Sequence, residues 1–343
     1  MLHKSQQTLL LPKEVELRQR CATHPPAYEI QLLAESPRVG DDTLAAISYN
    51  GLQLDPYLGI NISATPLGED ARVEVWRSRQ PVTRGQLGGI HYAYDQDILL
   101  AWLVVPSHQE SLEASAFQGY AELITSLRQL GYPHLVRVWN YLPRINAVDH
   151  GLERYQSFCL GRHRAFFDYA ALQPDHLPAA SAVGTRDEQL KIVALAAKQP
   201  GLAQENPRQV SAYHYPRRYG PASPSFARAT LIKNKNACYF FVSGTASIVG
   251  HESLHSGDVG AQLDTLLINI QRLLEHTARR HAMSIGVNNI NLAKVYIRRR
   301  ADFQPIQAAL RKFLPASTSL LYLEADICRE ELEVEVELVC TLD

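Results

Sequence analysis

The chain has 343 residues, 46% of them apolar and 20% charged, with a formal net charge of −1. That length holds one large domain or two ordinary ones of a globular protein. The balanced charge argues against a nucleic-acid binder, and no apolar run approaches the length that spans a bilayer.

At the N-terminus, Leu9-Leu10-Leu11 is too short for a signal-peptide core and Pro12 follows it, so a cytoplasmic protein is expected. Five cysteines (Cys21, Cys159, Cys238, Cys328, Cys340) are odd in number and scattered, without a CxxC pair. That pattern argues against a disulfide framework and a structural zinc site. The 13 histidines include no HExxH, so no metal is expected.

Residues 29–33 and 71–76 alternate as strands do. The run 98–105 suits a central strand that Pro106 ends. From Glu110 to Gly131 the apolar residues Leu112, Ala116, Tyr120, Leu123, Ile124, Leu127 and Leu130 form one helical stripe, with Gly131 where a C-cap glycine belongs. A strand at 135–141 follows, then a helix at 152–169. The second half repeats the order, with a helical stripe at 263–274, a strand at 292–297 and a short helix ending at Pro315. Strand, long helix, strand, short helix thus recurs about 150 residues on. The pattern predicts two related α+β domains, 1–175 and 176–343, each with helices on one face of a mixed sheet. A linker rich in Pro, Ala, Ser and Gly is expected at 173–185.

The run Tyr239 to Val242 reads as a buried strand that breaks into Ser243-Gly244-Thr245-Ala246-Ser247. Small residues there let a ligand approach the backbone. The last strand alternates Leu332, Val334, Val336, Leu338 and Cys340 with Glu333, Glu335, Glu337 and Val339. The three glutamates fit either a solvated edge, where charge discourages aggregation, or a cleft in which one glutamate works as an acid or base. Tyr155, Cys159 and Arg162 fall on one helix face. Tyr213 to Pro221 reads as a loop, and Ser225 to Ala229 leads into a strand. Arginines beside tyrosines suit an anionic ring compound, because the guanidinium fork matches a carboxylate; ordinary surface arginines are the plainer account.

Taken in order, Trp139-Asn140-Tyr141-Leu142-Pro143, Glu153-Arg154-Tyr155 with Gly161-Arg162, Arg218-Tyr219-Gly220-Pro221, Ser225 to Ala229, and Phe241 to Ser247 with His251-Glu252 resemble the chorismatases. Within that family the chain looks most like 3-hydroxybenzoate synthases and the bifunctional enzymes that also make 4-hydroxybenzoate. The C-terminal half is similar to the RidA/YjgF (chorismate mutase-like) fold, so the resemblance implies two such units in one chain. It also implies chorismate as substrate, pyruvate and a ring acid as products, and neither metal nor organic cofactor.

By that resemblance Glu335 is the catalytic acid, and Gly244 with Cys328 matches the 3-hydroxybenzoate producers, Cys328 being either reactive or space-filling. Arg162, Arg228 and Arg217 are the expected carboxylate receptors. Tyr155, Tyr215 and Tyr219 are the expected hydrogen-bonding groups, and the backbone at Ser243, Gly244 and Thr245 a further contact. Two other readings stay open: a RidA-like enamine or imine hydrolase, which rests on the C-terminal half alone, and a small-acid-binding module without catalysis. Oligomeric state and isomer ratio are not legible in the sequence.

Overall fold

The structure, a computed structural model, describes residues 27–35, 40–49, 51–68, 73–106, 111–170, 176–234 and 237–342. The readings made on residues 1–12, on Cys21 and on Glu110 lie outside them.

Three sheets share one interior. A four-stranded sheet runs Tyr28–Leu33, Val73–Ser78, Thr43–Tyr49, Gly59–Ile62. A six-stranded sheet runs Ala179–Thr185, His134–Pro143, Leu190–Ala197, Ile98–Val105, Ile90–Tyr94, Thr83–Leu87. A seven-stranded sheet runs Leu202–Gln204, Ala229–Asn234, Ala237–Thr245, Val334–Leu342, Ile290–Ile297, Ser319–Glu324, Thr65–Leu67.

Helices α1 (Leu112–Gln129) and α2 (Arg154–Ala165) bury their stripes on the six-stranded sheet. Helices α3 (Val259–His281) and α4 (Phe303–Phe313) do so on the seven-stranded one. The opposite faces meet in a core that contains Trp76, Trp139, Phe241 and Tyr296. Each of the two larger sheets mixes one parallel pair with antiparallel neighbours, as the α+β reading predicts.

The expected boundary at 175/176 does not coincide with a sheet boundary. Ala179–Thr185, read as linker, is a fully buried strand paired with His134–Pro143. Its small side chains suit it to lie between sheets, and Ala180 N–H reaches across to Ser243 Oγ at 2.9 Å. Leu190–Ala197 joins the same sheet, while Thr65–Leu67 crosses to the other. Cys159, Cys328 and Cys340 are free thiols; Cys238 is disulfide-bonded, which the scattered cysteines did not suggest.

The last strand is central, not an edge: it lies between Ala237–Thr245 and Ile290–Ile297. Its Glu335 and Glu337, and Glu333 just before it, are 3%, 4% and 3% exposed, so the solvated-edge account fails. Glu337 is neutralised inside the core. Lys294, directly opposite in the ladder, places Nζ 2.9 Å from Glu337 Oε1 and 2.9 Å from Glu74 Oε2. Arg137 Nη2 lies 2.6 Å from Glu337 Oε2, and Trp139 Nε1 donates to Glu337 Oε1 at 2.7 Å. Trp76 Nε1 donates to Glu74 Oε1 at 2.7 Å. Two cations and two carboxylates, one contributed by each of four strands, therefore tie the three sheets together.

Removing one member of such a cluster strands the others without water. Lys294→Met is expected to cost about 3–5 kcal/mol, read as a fall in the midpoint of chemical denaturation. An unchanged midpoint would show that the cluster is not what joins the sheets.

Candidate active site

Where the two larger sheets meet, the ladder between Ala237–Thr245 and Val334–Leu342 slips. Val242 pairs with Leu338 but Thr245 pairs with Val336, so Ser243-Gly244 carries one extra residue, a bulge. The bulge frees the Gly244 N–H from the ladder, and it donates to Ser181 Oγ at 3.1 Å. Ser243 and Thr245 turn their side chains inward: Ser243 Oγ donates to Ala227 O at 2.6 Å, and Thr245 Oγ1 to Ser243 O at 3.0 Å. Of the three expected contacts only Gly244 lines the cavity; the side chains of Ser243 and Thr245 hold its backbone in place.

The cavity encloses about 370 Å³. Glu335, Cys328, Tyr155, Tyr215, Tyr219 and Arg228 all line it. Pro224, Phe226, Ala246 and Ile248 give it an apolar wall. Beneath it lies a chamber of about 30 Å³, lined by Arg162, Ala180, Ser181 and Ala182 and sharing Glu335, Gly244, Cys328, Tyr155 and Phe226 with the main cavity.

Helix α2 sets Arg162 there because Gly161 lets the helix touch α1 backbone to backbone; a Cβ at Gly161 would fall 2.1 Å from Glu113 O. Among the described residues, Arg162 Nε and Nη2 are buried and without a hydrogen-bond partner. Arg228 Nη2 donates to Tyr215 Oη at 2.6 Å and to Val210 O at 3.0 Å, while its Nε is likewise unpartnered. Unpaired buried guanidinium donors are costly unless a ligand anion meets them.

Arg217 is exposed and lines neither space, which corrects its expected role. It lies in a short 3₁₀ turn, Arg217–Tyr219, that turns the neighbouring Arg218 to the cavity instead. Arg218 Nη2 donates to Tyr219 Oη at 3.0 Å and pairs with Glu252 at 2.8 Å. Arg329, which no sequence pattern marked, stacks its guanidinium 4.0 Å from the centre of the Tyr219 ring. Asn146, Glu153 and Gln156 complete that side of the mouth, and Asn146 Nδ2 donates to Glu153 Oε1 at 3.2 Å.

Polar residues of α3 hold the loops around the cavity. Asn269 Nδ2 donates to Ala246 O at 3.1 Å and Ile248 O at 2.9 Å. Gln262 donates to Glu331 O at 2.8 Å and accepts from Glu333 N–H at 2.8 Å.

The Glu335 carboxyl lies directly on Gly244, since a Cβ there would fall 1.8 Å from Glu335 Oε1. Burial, then the negative charge of Glu337, pushes its pKa up to about 8, against the pull of Arg137 and Arg228. Burial would also raise Glu337, but Lys294 and Arg137 outweigh it and hold that carboxyl below the usual range. One carboxyl is thus a neutral acid near neutral pH and its neighbour on the same strand face a fixed anion. Cys328 is held as a thiol, its pKa raised first by burial and then by Glu335, so it presents no thiolate nucleophile. The site can bind an anion, donate a proton, and then stabilise a developing cation with the carboxylate left behind. Among the described residues, no three His, Cys, Asp or Glu side chains are grouped to hold a metal, and no helix is long and apolar enough to cross a membrane.

Residues 74–196 match the family described as chorismatase FkbO/Hyg5-like, N-terminal. A 3-hydroxybenzoate synthase from Streptomyces hygroscopicus is 36% identical over 88% of this chain and 92% of its own length. A chorismatase from Streptomyces rapamycinicus is 32% identical over 91% of this chain and 97% of its own. A crystal structure of a chorismatase superposes with a TM-score of 0.83 at 31% identity, covering 93% of this chain and 99% of that one.

A raised carboxyl pKa is also a statement about stability. Glu335 keeps its proton in the folded chain up to about pH 8, whereas the unfolded chain loses it near the ordinary value of 4.5. Folding stability from this group is therefore full below the unfolded value and is lost as pH rises through the folded one. Against wild type, the Tm of Glu335→Gln is expected to gain steadily across that window. A constant difference would show an ordinary carboxylate.

Proposed function

This chain belongs to the chorismatase family, and on that premise we propose that it converts chorismate to 3-hydroxybenzoate and pyruvate with Glu335 as the proton donor. The observation that carries the reading is the neutral Glu335 carboxyl in a cavity whose arginines have free donors.

Chorismate is a dianion on a ring. One carboxylate fits the inner chamber, where the two unpartnered donors of Arg162 await a planar acceptor. The other lies toward Arg228, with Arg329 and Arg218 nearer the mouth. Glu335 protonates the enolpyruvyl methylene carbon, and the electron pair of that double bond forms the new C–H bond. The adjacent carbon becomes an oxocarbenium centre facing the Glu335 carboxylate. Water adds to that carbon and returns one proton to the Glu335 carboxylate; its other proton passes to the ether oxygen as the bond between that oxygen and the carbon breaks, so pyruvate departs and the ring keeps a C3 hydroxyl. Loss of the C4 hydroxyl as water, with a ring proton, leaves 3-hydroxybenzoate. One water is taken up and one released, so the atoms of chorismate equal those of the two products. Loss of the C3 oxygen with pyruvate would give 4-hydroxybenzoate instead. Gly244 and the Cys328 thiol, both against Glu335, shape the space in which that choice is made.

An enamine or imine hydrolase read from the C-terminal half alone gains no support from a cavity that takes Asn146, Glu153, Tyr155 and Gln156 from the other half.

Chromatography of products from chorismate tests the function. Glu335→Gln is expected to lose about 10²–10⁴ of the rate, the usual contribution of a positioned general acid. Hydroxybenzoate formation at wild-type rate by that variant would remove Glu335 from the mechanism. Because the protonated form is the active one, kcat/KM is expected to fall as pH rises through about 8. Arg162→Met is expected to lower kcat/KM by about 10- to 100-fold, mainly through KM, the value of one charged hydrogen-bonding partner. An unchanged KM would put the carboxylate elsewhere.

A further inference from the structure

Glu337 lines neither the cavity nor the chamber beneath it, yet it is joined to both. Ser181 Oγ donates to Glu337 Oε2 at 2.5 Å and accepts the Gly244 N–H at 3.1 Å. Arg137 Nη2 donates to the same Ser181 oxygen. Ser181 forms part of the chamber wall beside Glu335. From Glu337 the chain of contacts therefore runs to the Ser181 hydroxyl, to the Gly244 peptide, and so to the surface on which the Glu335 carboxyl lies. The Ser181 carbonyl extends the linkage on its other side, accepting from Asn140 Nδ2 at 2.9 Å, while Asn140 Oδ1 accepts from Tyr120 Oη at 2.7 Å.

We propose that Glu337 and Ser181 are positioning residues for the acid at Glu335, acting through the bulged Gly244 peptide and the fixed charge two residues along the strand. This rests on the reading of Glu335 given above. Three features of the geometry carry it. Glu337 and Glu335 share one strand face, so the anion and the acid project to the same side. Four donors and cations, from Lys294, Arg137, Trp139 and Ser181, hold Glu337 in one place. Glycine at 244 lets its peptide meet Ser181 with the Glu335 carboxyl where it lies, since a Cβ there would fall 1.8 Å from Glu335 Oε1.

The other titratable groups around Glu335 come from separate elements. Arg137 lies on the facing sheet, Arg228 before the strand Ala229–Asn234, Arg162 and Tyr155 on α2, and Cys328 on the loop before the last strand. Arg137 and Arg228 favour the ionised acid, and Glu337 opposes them. Without Glu337 only burial opposes the arginines.

The test compares wild type, Glu337→Gln, Ser181→Ala and the double variant Glu337→Gln/Lys294→Met, which removes one charge of each sign and keeps the cluster neutral if the single change fails to fold. The kcat and KM for pyruvate release from chorismate are measured from neutral to alkaline pH. Loss of the neighbouring anion lets Glu335 ionise earlier, so the alkaline fall in kcat/KM is expected to begin about one pH unit lower, with little change in KM at neutral pH. Ser181→Ala is expected to lower kcat about 10-fold, since it leaves the Gly244 N–H without its acceptor and removes one of the four groups that hold Glu337. A uniform loss of rate with the alkaline fall unmoved would overturn the proposal, leaving Glu337 as a packing element only. The ligand-free protein separates this from the function itself. The Tm difference between Glu337→Gln and Glu337→Gln/Glu335→Gln, followed against pH, must break at lower pH than the difference between wild type and Glu335→Gln. If wild type releases no pyruvate, the assigned reaction fails while that titration still decides whether Glu337 governs the proton on Glu335.

Discussion

Two carboxyl groups two residues apart on one buried strand face differ in protonation, one neutral and one ionised, near neutral pH. Like charges at that spacing in a dry interior cannot both ionise cheaply, so the surroundings must choose. Here Lys294 and Arg137 choose Glu337. Glu335 has only the more distant pull of Arg137 and Arg228 against burial and the neighbouring anion, and it keeps its proton. The same ion cluster joins the three sheets, since its members come from four strands. Structural cohesion and the protonation of Glu335 therefore draw on overlapping side chains.

The cavity exists because one ladder of the seven-stranded sheet is irregular where that sheet meets the six-stranded one. The Ser243-Gly244 bulge turns one peptide out of the sheet, and a strand of small residues, Ala179–Thr185, lies close enough to receive it. Larger side chains at 180–182 would fill the chamber in which Arg162 lies. The outer helices hold this gap open from behind. Helix α2 delivers Arg162 and Tyr155 to it, and Asn269 and Gln262 of α3 fasten the loops that form its sides. At the mouth, the short turns 212–219 bring Tyr215 and Tyr219 against Arg228 and Arg329, so aromatic faces pre-orient the guanidinium groups.

Much of the molecule was legible before any coordinates. The helical stripes of α1, α3 and α4, the alternating last strand and the strand before Ser243 were all visible as periodicity, because amphipathic burial writes itself into spacing. Glu335, Gly244, Tyr155, Arg162, Tyr215, Tyr219 and Arg228 lie together as the motif order implied. What spacing did not carry was which neighbour faces inward. Arg217 and Arg218 are adjacent in an irregular turn, and only its geometry selects Arg218. Arg329 is one charge in a polar loop. Ser181 lies in a stretch whose Pro, Ala and Ser content mimics a linker. A signal for the buried cluster did exist: charges at Glu74, Arg137 and Lys294 stand between apolar neighbours in their strands.

By itself, then, the sequence determined the α+β class, the repeated order of elements, the family and most of the side chains around the cavity, because these follow from periodicity and from motifs local in the chain. Tertiary structure alone decided that the last strand is central rather than an edge, that the strand at 179–185 belongs to the six-stranded sheet, and that Glu335 keeps its proton while Glu337 is ionised. The reason is physical: a carboxyl's protonation depends on desolvation and on charges brought near from distant segments, and for Glu335 and Glu337 those charges lie on strands up to 200 residues away in the chain.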